Sequence, residues 1–351
     1  MIASQSNKTT LYGLESLRGI AALLVVIYHI SRHIEQNFNV FPLGSFTEFG
    51  HSGVNFFFVL SGFIILYVHF SDIGKPKRAA EYLFKRFTRI YPFYWVVVGL
   101  TLGLIVFSSS RSIPELGNII LNLMLYPQGM NSLIVGVSWT LQYEIIFYLF
   151  FVILVLNKRI GFIIFSIWLM FLTYSNFLKP LPTESISIFS SAFNFLFFMG
   201  LLSAYLLKKH TIPGPLLIGI VGVILFLSIG VIEVNGLING YGRSAIILYG
   251  FASMLIIISI VELERSYKFS THKIFKILGK SSYSIYLVHL PINGITYQIL
   301  AKAGLTSSIP LPILFLILFS AAVFGGILLS HYIELPLTKW IREKRNHRNE
   351  K

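Results

Sequence analysis

Ten stretches of about twenty mostly apolar residues constrain this chain more than any other feature: 15–33, 52–70, 91–109, 138–157, 160–178, 186–207, 213–232, 244–261, 281–300 and 310–333. A run of that length crosses a hydrocarbon layer ~30 Å thick as a helix. Inside lipid the backbone must satisfy its own hydrogen bonds, and a helix does so within one segment. The predicted fold class is therefore all-α, a polytopic membrane protein with about ten transmembrane helices. A further segment, 118–127, is too short to span and reads as re-entrant or interfacial. Charged residues make up 12% of the chain, about half the share of a soluble domain, which excludes a soluble fold. There is no cysteine, so disulfides, thiolate nucleophiles and zinc–thiolate sites are excluded. No metal is expected. The polar start MIASQSNKTT carries no cleavable signal. No internal repeat or linker divides the chain. Residues 1–351 read as one domain, with helices from 15 to 333 and a basic tail over 339–351.

An even number of spans puts both termini on one side. Only Arg32, Arg111, Lys179, Arg243 and Lys302 then fall on the opposite side, and the other 23 of the 28 Lys and Arg residues, Lys8 and Lys268 among them, fall with the termini. That bias places the termini in the cytoplasm. It also makes the net charge of +14 a matter of topology and of an anionic ligand at one surface, not of nucleic acid.

Ionisable residues inside spans are costly and usually face a bundle interior or a wet cavity. In ESLRGIAALLVVIYHISRH, Glu15–His33, Arg18 and His29 are eleven residues apart. At ~100° and ~1.5 Å per residue they leave one helix face ~16 Å apart. The bland alternative is an arginine snorkelling at the interface and a hydrogen-bonded core histidine. Glu144, in SWTLQYEIIFY, is the acidic residue placed well inside a span, at a depth comparable with His29. A carboxylate beside an imidazole raises its basicity and fixes its tautomer, as a base for a hydroxyl requires. The two are expected to meet; the alternative is a pair that only locks two helices. His289, in SSYSIYLVHLP beside Pro291, is a further intramembrane histidine or a core one. His51 and His69 are weaker candidates at the ends of the second span, and His331 and Glu334 read as snorkelling. In KPKRAAEYLFKRFTRIYP, read as a loop between the second and third spans, Arg86 and Arg89 converge at i, i+3 beside Lys85. Arginine pairs bind phosphate bidentately, so the cluster is a candidate cradle for a phosphorylated ligand, or for lipid head groups. Arg18 adds a cation at the same mouth.

Several motifs now coincide in order: Arg18 and His29 with ten residues between them, GVNFFFVLSGF, KRFTRIYPFYW, SWTLQYEIIFY, GKSSYSIYLVHLPI and a closing ELP. Together the chain resembles the acyltransferase-3 family of integral membrane acyltransferases, from about residue 10 to residue 340. The resemblance implies transfer of an acyl group, usually acetyl, from cytoplasmic acetyl-CoA to a hydroxyl of a glycan outside. It further implies a bacterial inner membrane, His29 as catalytic base or transient acyl carrier, Glu144 as its support, and Arg18, Lys85, Arg86 and Arg89 around the CoA phosphates. Hydroxyls of Ser61, Tyr143, Ser282 and Tyr283 are expected to assist, with His289 in support. O-antigen or another surface polysaccharide is the first expected acceptor, peptidoglycan or a small metabolite the second. Membrane lipids are expected partners, and the oligomeric state is left open. The rival reading is a proton-coupled transporter or flippase, which would carry inverted repeats and interrupted helices in matched positions.

Overall fold

The computed structural model describes residues 11–108, 112–181, 187–267 and 271–349. Lys8, Arg111, Lys268 and Lys351 lie outside the described residues, as does the side chain of Arg348. Twelve α-helices follow in order: α1 (Tyr12–Phe38), α2 (Gly53–His69), α3 (Ala79–Ser108), α4 (Leu116–Leu123), α5 (Trp139–Leu156), α6 (Lys158–Thr173), α7 (Phe193–Lys209), α8 (Pro215–Val234), α9 (Arg243–Tyr267), α10 (Lys273–Lys302), α11 (Leu311–Leu329) and α12 (Leu335–Asn349). The described residues contain no strand. Ten of these helices answer to the ten apolar runs; α4 is the short segment and α12 the basic tail. Among the described residues, eight helical stretches are long and apolar enough to cross a membrane unaided. The others are α7, which stops at 17 residues, and α10, whose length includes Lys276, Lys280 and a stripe of serines.

Several boundaries differ from expectation. α1 continues five residues past His33 and ends where Asn39 turns left-handed at φ 55°. His29 is thus about two and a half turns from the helix end, not one. The basic stretch before residue 91 is not a loop, because α3 starts at Ala79. Its early turns are amphipathic: Tyr82, Arg86 and Ile90 are buried, while Leu83, Lys85 and Phe87 point outward. α10 starts eight residues before 281, capped by the His272 side chain on Ile274 N–H. There Gly279 lies directly on the backbone of Glu15, which a side chain would prevent. α7 begins only at Phe193.

α4 shows how a short polar-ended helix survives among spans. Backbone N–H groups beyond its end take the Leu121 and Asn122 carbonyls, and α3 ties the end down with three further donors. Tyr91 donates to Met124 O at 3.1 Å, Tyr94 to Asn122 O at 2.9 Å and Trp95 Nε1 to Leu123 O at 2.9 Å. The Asn122 side chain does the rest, donating to Ser132 O and accepting from Ile134 N–H.

The bundle centre is α2 against α7, where two backbones nearly touch. A methyl at Gly62 would strike the Phe197 carbonyl, and one at Gly200 the Val59 carbonyl. Small residues at such crossings permit close packing in membranes. Phe63, Phe147, Phe151 and Phe197 fill the space around them, with Phe147 and Phe197 stacked at 4.3 Å. α8, by contrast, turns large apolar side chains such as Leu216 and Leu217 outward, as a lipid-facing helix does.

Candidate active site

A cavity of about 730 Å³, mouth included, opens between α1, α2, α3, α5 and α10. Arg18 comes from α1, Arg86 and Arg89 from α3, and Glu144 and Tyr148 from α5; all five line it. The i, i+3 spacing thus brings Arg86 and Arg89 to one wall, and Arg18 joins them from another helix. Lys85 does not take part. It is exposed, and its ammonium turns back along the helix to pair with Glu81 at 2.5 Å, one turn earlier.

The charges are unevenly matched. Among the described residues none of the three arginines has a carboxylate within 4 Å. The Nε atoms of Arg18 and Arg86 are buried and unpartnered. Arg86 rests over the rings of Tyr82 and Tyr148 at 5.7 and 5.4 Å. Glu144 is partnered, but by neutral hydroxyls: Ser61 donates to it at 2.9 Å, and Tyr148 donates a short bond to the same oxygen. Glu334 is the second nearby carboxylate. It sits on a π-helical turn, Ser330–Glu334, where α11 passes into α12. There it accepts from Ser284 at 2.5 Å and Ser330 at 3.0 Å, within electrostatic reach of Arg18 and Arg89. It does not snorkel, as the ELP motif at the end of a span suggested. Glu15 adds a third carboxylate within electrostatic reach of Arg18, and Arg342 a fourth guanidinium within reach of Arg86 and Arg89, so the cations still outnumber the carboxylates. An excess positive charge in a low-dielectric space calls for an anion.

The expected meeting of His29 and Glu144 does not occur. Glu144 belongs to the arginine end. His29 packs instead against Tyr28 and His289, with ring centroids 5.0 and 5.1 Å away. No hydrogen bond joins it to a carboxylate among the described residues. Comparable depth along two helices says nothing about which way each side chain points around the bundle. Tyr286 stands between the two regions. It lines the cavity, bonds Thr140 at 2.9 Å and Val137 O at 3.2 Å, and its ring lies 6.1 Å from that of His289. His289 is fully buried and bonds Tyr286 O through Nδ1 at 2.6 Å. That bond puts the proton on Nδ1 and leaves Nε2 bare and unpartnered. The order from the arginine end is therefore cavity, Tyr286, His289, His29.

The helper hydroxyls fare differently from expectation. Ser61, Ser282 and Tyr283 do line the cavity. Each already spends its proton, on Glu144, on Gly279 O at 2.8 Å and on Ile90 O at 2.9 Å. They are poor oxyanion donors as they stand. Tyr143 is elsewhere, packed among Phe58, Trp139 and Phe193. His69 pairs with Asp72 at 2.8 Å beside Tyr82. Among the described residues no group of His, Asp and Glu is placed to hold a metal.

The residues that sequence reasoning undervalued are His51 and Glu233. His51 Nε2 and Glu233 Oε1 are 2.6 Å apart, and both side chains are nearly covered. Tyr249 donates to the other Glu233 oxygen at 2.6 Å. Tyr241 stacks on the His51 ring at 4.3 Å and donates to the Tyr28 hydroxyl at 2.9 Å. Burial, and then that bond to Tyr28, push the Tyr241 phenol well above the ordinary tyrosine range, so it stays protonated. The pair spans 182 positions of sequence, beyond the reach of any local pattern.

Comparison with known proteins adds the family. The acyltransferase-3 family model, described as an acyltransferase domain, matches residues 11–331. The exopolysaccharide production protein ExoZ of Rhizobium meliloti (strain 1021) is 25% identical over 313 residues, covering 84% of this chain and 92% of that one. No solved structure matches. The apolar helices, the buried arginine–histidine helix α1 and the match over almost the whole length agree: this chain belongs to the acyltransferase-3 family of membrane acyltransferases.

Proposed function

We propose that the protein transfers an acetyl group from acetyl-CoA, bound from the cytoplasm, to a hydroxyl of a surface polysaccharide on the far side of a bacterial inner membrane. The observation that carries this reading is the unmatched positive charge of Arg18, Arg86 and Arg89 at one end of a cavity whose other end approaches His289 and His29. CoA is a polyanion on a long, thin arm. Its phosphates sit on the guanidiniums, where charge-assisted bonds to the unpartnered Nε–H groups stabilise them. Its pantetheine arm extends toward Tyr286. The Arg18–His29 offset of ~16 Å along α1 is comparable with the length of that arm. Rotation of the Tyr286 ring opens the remaining step to the histidines. The strong bias of basic residues supports cytoplasmic termini. The name of the ExoZ relative supports a polysaccharide acceptor.

Glu144 takes a new part in this account. Held by Ser61 and Tyr148, it fixes the electrostatics of the donor pocket and does not polarise His29. His29 acts on the acyl group itself, as base or as transient carrier. The test is radiolabelled acetyl-CoA supplied to purified protein with polysaccharide extracted from cells carrying the gene. Label in the polysaccharide, lost in His29→Ala, supports the reading. Transfer at the wild-type rate in that variant eliminates it.

A further inference from the structure

His51 has what His29 lacks. Its Nε2 lies on a carboxylate that is itself fixed, because Tyr249 occupies the other Glu233 oxygen. A carboxylate accepting from Nε2–H puts the proton there and leaves Nδ1 with a free lone pair. No hydrogen bond to that Nδ1 occurs among the described residues. The same carboxylate stabilises the imidazolium that forms when Nδ1 takes a proton. His289, by comparison, leans on a neutral carbonyl, and His29 has no hydrogen bond to a carboxylate among the described residues.

The pair is also built tightly. A methyl on Gly240 would collide with Glu233 and with His51 Nε2, so the 235–242 turn closes directly over it. That turn carries Tyr241, which covers one face of the His51 ring and is itself 54% exposed. An aromatic face open at the end of the bundle away from the arginines suits the apolar face of a sugar ring. Tyr28 adjoins both histidines, with ring centroids 5.0 Å from His29 and 5.6 Å from His51. The two imidazoles thus flank one side chain of α1.

We infer that His51, positioned by Glu233, is the base that takes the proton of the acceptor hydroxyl, while His29 carries the acyl group. This rests on the acetyl transfer proposed above and divides its two steps between two histidines. In the first step a His29 nitrogen attacks the thioester carbon. The C–N bond forms, the C–S bond breaks, and the thiolate leaves with the imidazole proton as CoASH. In the second step the sugar oxygen attacks the same carbon. The C–O bond forms, the C–N bond breaks, and the hydroxyl proton passes to His51 Nδ1 and on to the departing imidazole of His29. The sum is one ester and one thiol from one alcohol and one thioester.

Two readouts separate the steps. Exchange of labelled CoA into acetyl-CoA, without acceptor, reports the first; transfer to the extracted polysaccharide reports both. In wild type both proceed. His51→Gln keeps exchange within about twofold and loses transfer ~10²–10⁴-fold, the usual worth of a general base. Glu233→Gln, whose amide oxygen still accepts from Nε2–H, keeps exchange and loses ~10-fold of transfer through the missing charge. Imidazole added to His51→Ala restores part of the transfer. The inference is overturned if wild type transfers without exchanging, if the Gln variants retain full transfer, or if they lose exchange and transfer together, as a merely structural lock would. If wild type neither exchanges nor transfers, the acetyl-CoA reading itself fails, whatever the variants do.

Discussion

The two ends of this bundle handle buried charge in opposite ways. At the arginine end, three guanidiniums converge without an ion pair, and two of their nitrogens have no partner. At the His51 end, each oxygen of Glu233 is bonded, the imidazole is stacked, and a glycine lets the backbone press against both. An unpaired buried charge is expensive unless something arrives to meet it. A fully bonded carboxylate–imidazole pair seldom adds stability over an apolar one, but it does hold a tautomer. The first arrangement suits a site completed by an anionic substrate. The second suits a device already assembled before the substrate comes.

If the contrast is right, substitutions at the two ends fail differently. The largest effect falls on His29→Ala, which should lower transfer ~10²–10⁴-fold with little change in the KM for acetyl-CoA, measured by label incorporation. Next is Arg89→Ala. Loss of one charge-assisted phosphate contact, ~1.5–3 kcal/mol, should raise that KM by ~10–150-fold. Acetyl-CoA should also cease to raise the melting temperature of the solubilised protein. A normal KM in Arg89→Ala would erase the distinction between the ends. Glu144→Gln sharpens it: with one negative charge fewer beside the arginines, the KM for acetyl-CoA should fall a few-fold while kcat holds. A large kcat loss with unchanged KM would return Glu144 to the chemistry. The smallest effect belongs to Trp95→Phe, which deletes one bond to Leu123 O and should cost ~1 kcal/mol of stability, read as a lowered melting temperature with both ends working normally.

Much of the fold was legible because lipid imposes one rule on every span. The apolar runs marked the helices, and the 3.6-residue period put Arg86 and Arg89 on one wall. The failures share a cause. Run length locates a residue in depth but not in azimuth, so His29 and Glu144 were paired although they point into different regions. Apolar run length does not mark polar helix starts, so it gives the first turns of neither α3 nor α10. Sequence proximity groups Lys85 with Arg86 and Arg89, but its long side chain reaches back one turn to Glu81. His51 and Glu233 come from distant segments, and the closing ELP gave no hint that Glu334 turns inward on a π-helical turn. The helix-end histidine and the short ELP motif were visible; only three dimensions supplied their partners.

The bonds from Tyr91, Tyr94 and Trp95 to the end of α4 have a consequence for how the chain is made. Their acceptors lie 28 to 33 positions later in the sequence. When α3 first emerges from the ribosome, two phenols and an indole therefore lack these acceptors, and the Leu123 and Met124 carbonyls lack these donors. Neither piece settles in the bilayer by itself at low cost. The pairing of α3 with α4, and of the Asn122 side chain with Ile134, is complete only once the chain through residue 134 is in place.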